Sequence, residues 1–450
     1  MNILLKRLFF CFWVAIAMSL CSCSDNDYVN CIPSTSTALV KIDAQKVNSP
    51  KLMAWLKGVI GVGDKENSGI DFSSPVYLFE TVDGNFGLCA KVKDSDDLTD
   101  FFNSSNGEVR FSRVRKVGDI SFTDINESWC VGYTSKSFVA VGPVAVSALA
   151  DTRRVISRLL MQNAERSIVD KPMYSRIDTM SSAVSLVAQA QALPDKFVAS
   201  ITIGAPKEAD VSQIFVEANV GIVGKTLLLE GKTFSFNKSI DKSIQNSQKL
   251  FRPIGERYNG KITESDVFGI SLNVDGDKFL PLLQNNKYLQ SIMVGMNTAV
   301  DFDNIMRSVD GPMMVTSKGF SDNNMSLAML ADVKSTPSWI SDVDYWKRSC
   351  PSGSKIIDNG TNSWIYASGN SRLYFGLRDN EFYASSENPD NFNSAIKSEI
   401  LLSHDLLLKM QQSRMAIVLN LSALLKSVNH ESSVSDSLLD GIHSILFLME

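Results

Sequence analysis

Apolar strands, hairpin turns and helical stretches that return in the same order predict an α+β protein built from tandem modules of mainly antiparallel sheet with helices packed on one face. Three observations carry the prediction. Turn chemistry joins neighbouring strands, as at Asp83-Gly84-Asn85 between SPVYLFETV and FGLCAKVK. The order strand, helix, hairpin, helix, strands occurs twice. The composition, 44% hydrophobic and 21% charged over 450 residues, is that of a folded chain with more than one core.

The first 22 residues read as a secretory leader: Lys6 and Arg7 supply the positive end, and LFFCFWVAIAMSL the apolar stretch. Those 13 residues fall short of the roughly 20 that span a bilayer. Leu20-Cys21-Ser22-Cys23 then fits a lipoprotein cleavage site for Cys23, with leucine at −3 and a small residue at −1. At Cys21 the −1 residue would be Leu20, which is too large. The expectation is therefore a lipidated Cys23, whose palmitate-type acyl chains hold the protein on a membrane at about 0.8 kcal/mol per buried methylene. Ser24, Asp25 and Asp27 follow in a tract that resembles the lipoprotein export signal of Bacteroides-type bacteria, within a tether over 23–35.

Residues 36–150 form the first module. ALVKIDAQKV leads to a helical pattern at 49–61, the hairpin follows, and Asp94-Ser95-Asp96-Asp97 opens a helix, since capping side chains and acids suit a first turn. Strands at 120–143 complete it. A helical connection, RRVISRLLMQNAE, and a strand-rich middle segment occupy 151–262. The second module, 263–400, repeats the first, with Ser363-Trp364 as counterpart of Ser128-Trp129. Residues 401–450 are a partial strand-helix-strand copy whose last strand lacks its hairpin partner and must pair elsewhere, unless the sequence is truncated.

Charge and motifs exclude several function classes. Net charge is −5, and −7 once Lys6 and Arg7 leave with the leader, with no basic stripe, so nucleic acid is not an expected partner. Gly224-Lys225-Thr226 lacks the earlier glycine of a phosphate-binding loop, having Asn219 instead, and sits between strands; it and Gly231-Lys232-Thr233 read as hairpin turns. His404, His430 and His443 form no metal-binding or catalytic motif. The acidic pairs Asp275/Asp277, Asp301/Asp303 and Asp342/Asp344 read as helix starts and turns ahead of calcium or glycosidase sites. Trp55, Trp129, Trp339, Trp346 and Trp364 read as core ahead of a sugar platform. Cys31, Cys89, Cys130 and Cys350 are widely spaced without a CxxC, which favours buried thiols over a Cys89–Cys130 bridge.

The lipobox at Leu20-Cys21-Ser22-Cys23, the following IPSTSTALVKID and the repeated unit together resemble Bacteroides-type lipoproteins of domain-of-unknown-function family 4836. The resemblance implies an outer-membrane lipid anchor facing the cell surface, with the periplasmic face as the alternative. It implies no catalytic residue, metal or cofactor. The expected function is a membrane-anchored envelope lipoprotein that binds an unknown protein or glycan without catalysis; the alternatives are a secreted hydrolase of glycan or peptide, and a passive structural component.

Overall fold

The computed structural model describes residues 26–47, 68–104, 109–193, 195–287, 300–319, 326–335, 337–388, 400–428 and 441–450, with 289–290, 293–294 and 297. The leader, Cys23, Ser24, Asp25, the helical pattern at 49–61, Trp55 and His430 lie outside these residues. The chain forms two compact units, the first closing at Asp178 and the second resuming at Thr179. Both are α+β.

In the first unit, β1 (Ala38–Ile42), β2 (Val76–Glu80) and β3 (Phe86–Lys91) precede α1 (Ser95–Ser104). Then come β4 (Arg115–Val117), β5 (Ile120–Ile125), β6 (Trp129–Tyr133) and β7 (Ser137–Gly142). The helices α2 (Leu149–Met161) and α3 (Pro172–Asp178) end the unit. The sheet runs β1-β2-β3-β7-β6-β5-β4, antiparallel throughout. Gly84, at φ +75°, turns the β2–β3 hairpin where the sequence predicts it. Asp94 caps α1, its Oδ1 accepting from the amides of Asp96 at 2.8 Å and Asp97 at 3.1 Å.

Helices cover both faces of this sheet, where the sequence pattern suggested one. Phe102 of α1 stacks on Phe138 and lies 6.0 Å from the Tyr133 ring. On the other face Ile156 and Leu160 of α2 lie over Gly132, the residue before Tyr133, and successive strand residues point to opposite faces. The stretch 153–165, expected to lead away as a connection, folds back onto the sheet because glycine leaves room for it. An ion pair between Arg153 and Asp124 of β5 fastens the same helix.

The second unit opens with β8 (Val184–Gln189), α4 (Asp195–Ile201), β9 (Phe215–Val223), β10 (Thr226–Phe234) and α5 (Lys238–Gln248). There follow β11 (Phe268–Asp275), α6 (Gly276–Asn285), α7 (Phe302–Ser308), β12 (Val309–Ser317), β13 (Leu327–Val333) and α8 (Val343–Ser349). After these run β14 (Ser354–Asp358), β15 (Ser363–Ser368), β16 (Ser371–Arg378) and β17 (Glu381–Ser385). The unit ends with α9 (His404–Gln412), β18 (Met415–Asn420), α10 (Leu421–Val428) and β19 (Ser444–Met449). Its strands pair in the order β8-β9-β10-β19-β18-β11-β12-β13-β17-β16-β15-β14.

The run β11-β12-β13-β17-β16-β15-β14 has the pairing order of β1-β2-β3-β7-β6-β5-β4. In both, the last strand returns to the third. The matched tryptophans differ by one strand, however: Trp129 opens the third of the four closing strands, and Trp364 lies in the second. The partial copies join differently. The last strand, β19, pairs antiparallel with β18 and parallel with β10. This is the partner outside its own hairpin that the sequence left open.

Two apolar layers flank the second unit's sheet. One gathers Phe279, Phe302, Trp339 and Trp346 from helices and turns against Leu272, Met313, Ala331 and Phe382. The other packs Leu406 and Met410 of α9 with Ile254 and Tyr258 against Met314, Leu330, Val418 and Leu446. Met313 and Met314 are neighbours in β12 and point into different layers, as a strand covered on both faces requires.

Candidate functional site

Of the export-signal residues, Asp27 is described: it is exposed and opens a 3-10 turn, Asp27–Cys31. The turn is not part of a loose tether. Tyr28, Val29, Cys31 and Ile32 are at most 2% exposed. The Tyr28 hydroxyl donates to the Pro75 carbonyl at 2.6 Å, and its ring stands 6.4 Å from Tyr77, which in turn stands 6.1 Å from Tyr174. Gln162, just past α2, donates its amide to the carbonyls of Asn30 at 2.5 Å and Ile32 at 3.1 Å. Pro33 bridges to Ser167. The apolar spacing of Tyr28, Val29, Cys31 and Ile32 in the sequence is the signal that this segment seeks a core.

Two thiols, Cys89 and Cys130, share the sheet face under this turn, and Cys31 of the turn meets that face. Cys89 of β3 is fully buried, and its thiol donates to the Tyr28 carbonyl at 3.3 Å. Burial pushes the Cys31 thiol up to about 11, against a partial offset from its hydrogen bond with Ser137. Burial and then the neighbouring Asp124 carboxylate push Cys130 up to about 12. All are free. Cys89 lies opposite Val139 and Cys130 opposite Val141, so β7 separates the two cysteines weighed as a bridge.

In the second unit, charged groups converge beside an irregularity in β12. Pairing with β13 shifts between Val309 and Met313, and a Cβ on Gly311 would lie 2.7 Å from that of Asp332. Asp332 accepts from the Tyr258 hydroxyl at 2.7 Å and pairs with Arg257 at 2.5 Å. Its cross-strand neighbour Glu381 lies 3.9 Å from the same guanidinium. A glycosidase leaves the space between its two carboxylates for a sugar and a water. In this pair a single guanidinium reaches both, which makes the cluster a clasp.

The other acidic pairs act at helix starts. Asp275 caps α6, accepting from the Asp277 amide at 3.2 Å, and Asp301 caps α7, accepting from the Asn304 amide at 3.0 Å. Asp342 instead accepts from the Asn304 side chain at 3.0 Å. Among the described residues no group of His, Cys, Asp or Glu is placed to hold a metal ion. Gly224, at φ +63°, turns the β9–β10 hairpin as predicted. Gly231 does not: it lies inside β10, where a Cβ would come within 1.8 Å of the Glu217 carbonyl, so close approach of two strands explains this glycine. Trp339, Trp346 and Trp364 are buried together, with Trp339 stacked on Trp346 at 6.2 Å, so they form core.

One open cleft, of about 590 Å³, lies where β11 and β19 begin and β12 and β18 end, lined by Glu264, Ser265, Lys318, Asn420, Lys426 and His443. Lys318 is paired with Glu387 at 2.6 Å. Asn420 spends its side chain locally, donating to the Glu264 carbonyl at 2.9 Å and accepting from the Ala423 amide at 3.1 Å.

No curated protein matches the chain. Among solved structures, crystal form IV of TP0453 is 13% identical, with 45% of this chain and 78% of that one covered at a TM-score of 0.29. Crystal form III of TP0453 is 9% identical, with 82% and 98% covered at 0.26. These likenesses are too slight to carry an argument. The profile of the domain of unknown function DUF4836, by contrast, matches residues 53–425, most of both units, and the chain belongs to the DUF4836 family.

Proposed function

We propose that this protein is a lipid-anchored lipoprotein of the cell envelope, held through Cys23 in the outer membrane and facing the cell surface. Its modules bind a protein or glycan partner without catalysis. The observation that supports this reading best is the N-terminal turn. Folded structure begins within three residues of Cys23, a span of at most about 10 Å, so the acyl chains would hold the first unit close to the bilayer. No described helix is long and apolar enough to cross a membrane, so attachment in this reading falls to the lipid. The acidic pair of Asp332 and Glu381 is engaged by Arg257, which favours binding over hydrolysis at that place.

The test is recovery of the full chain from native membranes, with identification of molecules that accompany it. A partner retained with the wild type and lost with Cys23→Ala is the expected result. Recovery of nothing above that control would refute the binding reading. Protease treatment of intact cells decides the face: cleavage supports surface exposure, and full protection in intact cells with cleavage after permeabilisation assigns the periplasmic side.

A further inference from the structure

The N-terminal turn brings two thiols together, and we propose that Cys31 and Cys89 become a disulfide as the exported chain folds, stapling the turn to the middle of the first unit's sheet. Two contacts set the geometry. The Cys89 thiol donates to the Tyr28 carbonyl at 3.3 Å. Within a 3-10 turn that carbonyl also accepts the amide of the third residue on, which is Cys31. The Cys31 nitrogen and the Cys89 sulfur thus converge on one oxygen and lie within about 6 Å of each other, which makes the two cysteines neighbours across the turn and the sheet. The Cys31 thiol itself meets Ser137 of β7, two residues from Val139, the register partner of Cys89. Cys130 lies beyond β7, and Cys350 belongs to the second unit.

The oxidant is an exported thiol oxidoreductase in its disulfide form. One cysteine thiolate attacks a sulfur of that disulfide and forms a mixed disulfide. The second cysteine thiolate then displaces the oxidoreductase thiolate. Two electrons pass to the oxidoreductase, and the two protons that the cysteines give up end on its two sulfurs by way of water, so that it leaves as a dithiol. Both cysteines are at most 2% exposed, and burial raises both thiols, so the exchange belongs to folding and not to the closed state. Only the supply of oxidant rests on the export reading; the choice of partners rests on the geometry.

Two preparations separate these points. In the first, the full chain is recovered from native membranes after fatty-acid labelling, denatured, alkylated with a maleimide and mapped by mass. Cys130 and Cys350 should be alkylated at once, and Cys31 and Cys89 only after reduction, with their peptides joined at the cost of two hydrogens. Free Cys31 and Cys89 in lipid-labelled protein would overturn the proposal and leave the anchor intact. In the second, the mature chain is unfolded, reduced and refolded in a glutathione redox buffer. A predominant Cys31–Cys89 bridge, kept in the Cys130→Ser variant, supports the pairing even if the protein is unlabelled and cytoplasmic. Scrambled pairs or a Cys89–Cys130 bridge overturn it.

Discussion

Ile156 occupies the space that a side chain on Gly132 would need: a Cβ there would lie 2.5 Å from the Ile156 Cγ2. The helix α2 is seated on the absence of a side chain one strand layer below. Gly132→Val should push it off and cost about 1–3 kcal/mol, read as a lower urea midpoint. An unchanged midpoint would show that the helix is not held there.

The Gly-Lys-Thr phrases should separate under substitution. Gly224 has open space around it and a positive φ, so Gly224→Asn should be tolerated within about 1 kcal/mol. Gly231→Val places a branched side chain against the Glu217 backbone and should cost about 3 kcal/mol or prevent folding, as soluble yield and thermal melting will report. Equal effects at both glycines would contradict the assigned roles.

Alkaline stability should depend on Cys130. Its thiol is raised from the ordinary 9.0 to about 12, so the unfolded chain releases that proton first. The contribution is whole below pH 9 and is lost as the pH climbs toward 12. In reduced protein, the wild type should lose urea resistance more steeply between pH 9 and 11 than Cys130→Ala does. Parallel slopes would exclude the thiol as the cause.

Asp332→Ala should be costlier than Glu381→Gln. The first strips the buried Tyr258 hydroxyl and the Arg257 guanidinium of their closest partner, a loss of about 2–3 kcal/mol. The second touches a contact at 3.9 Å and should change stability by under about 1 kcal/mol. Thermal melts of the two variants check the ranking.

Under the proposed anchoring, Cys21 and Cys23 should behave oppositely. Cys23→Ala should abolish fatty-acid incorporation and release the protein from membranes, while Cys21→Ala should leave both unchanged. Incorporation that survives Cys23→Ala would remove the anchor assignment.

Local chemistry made much of this fold legible. Gly84 and Gly224 mark hairpins, and Asp94, Asp275 and Asp301 mark helix starts, because each acts within a few residues of itself. What escaped the sequence is non-local. The seat of α2 is written at Gly132, on another element. Gly231 is followed by the same Lys-Thr as Gly224 but answers to a neighbouring strand. The tryptophan match slipped by one strand because Ser-Trp is a local phrase and pairing order is not. The N-terminal turn was missed for another reason: its apolar residues follow an acidic tract, which drew them into the tether.

Unit two closes on its own tail. Because β19 fills the slot between β10 and β18, two strands separated from it and from each other in sequence keep raw edges until residues 444–449 arrive. A chain threaded through a membrane from its N-terminus would deliver β19 after the other described strands. The first unit, whose strands are all in hand by Gly142, has no such wait. If the proposed export holds, the middle of the second sheet is therefore the site most in need of a chaperone, and deletion of residues 444–449 should do more harm to this protein than their distance from the first unit would suggest.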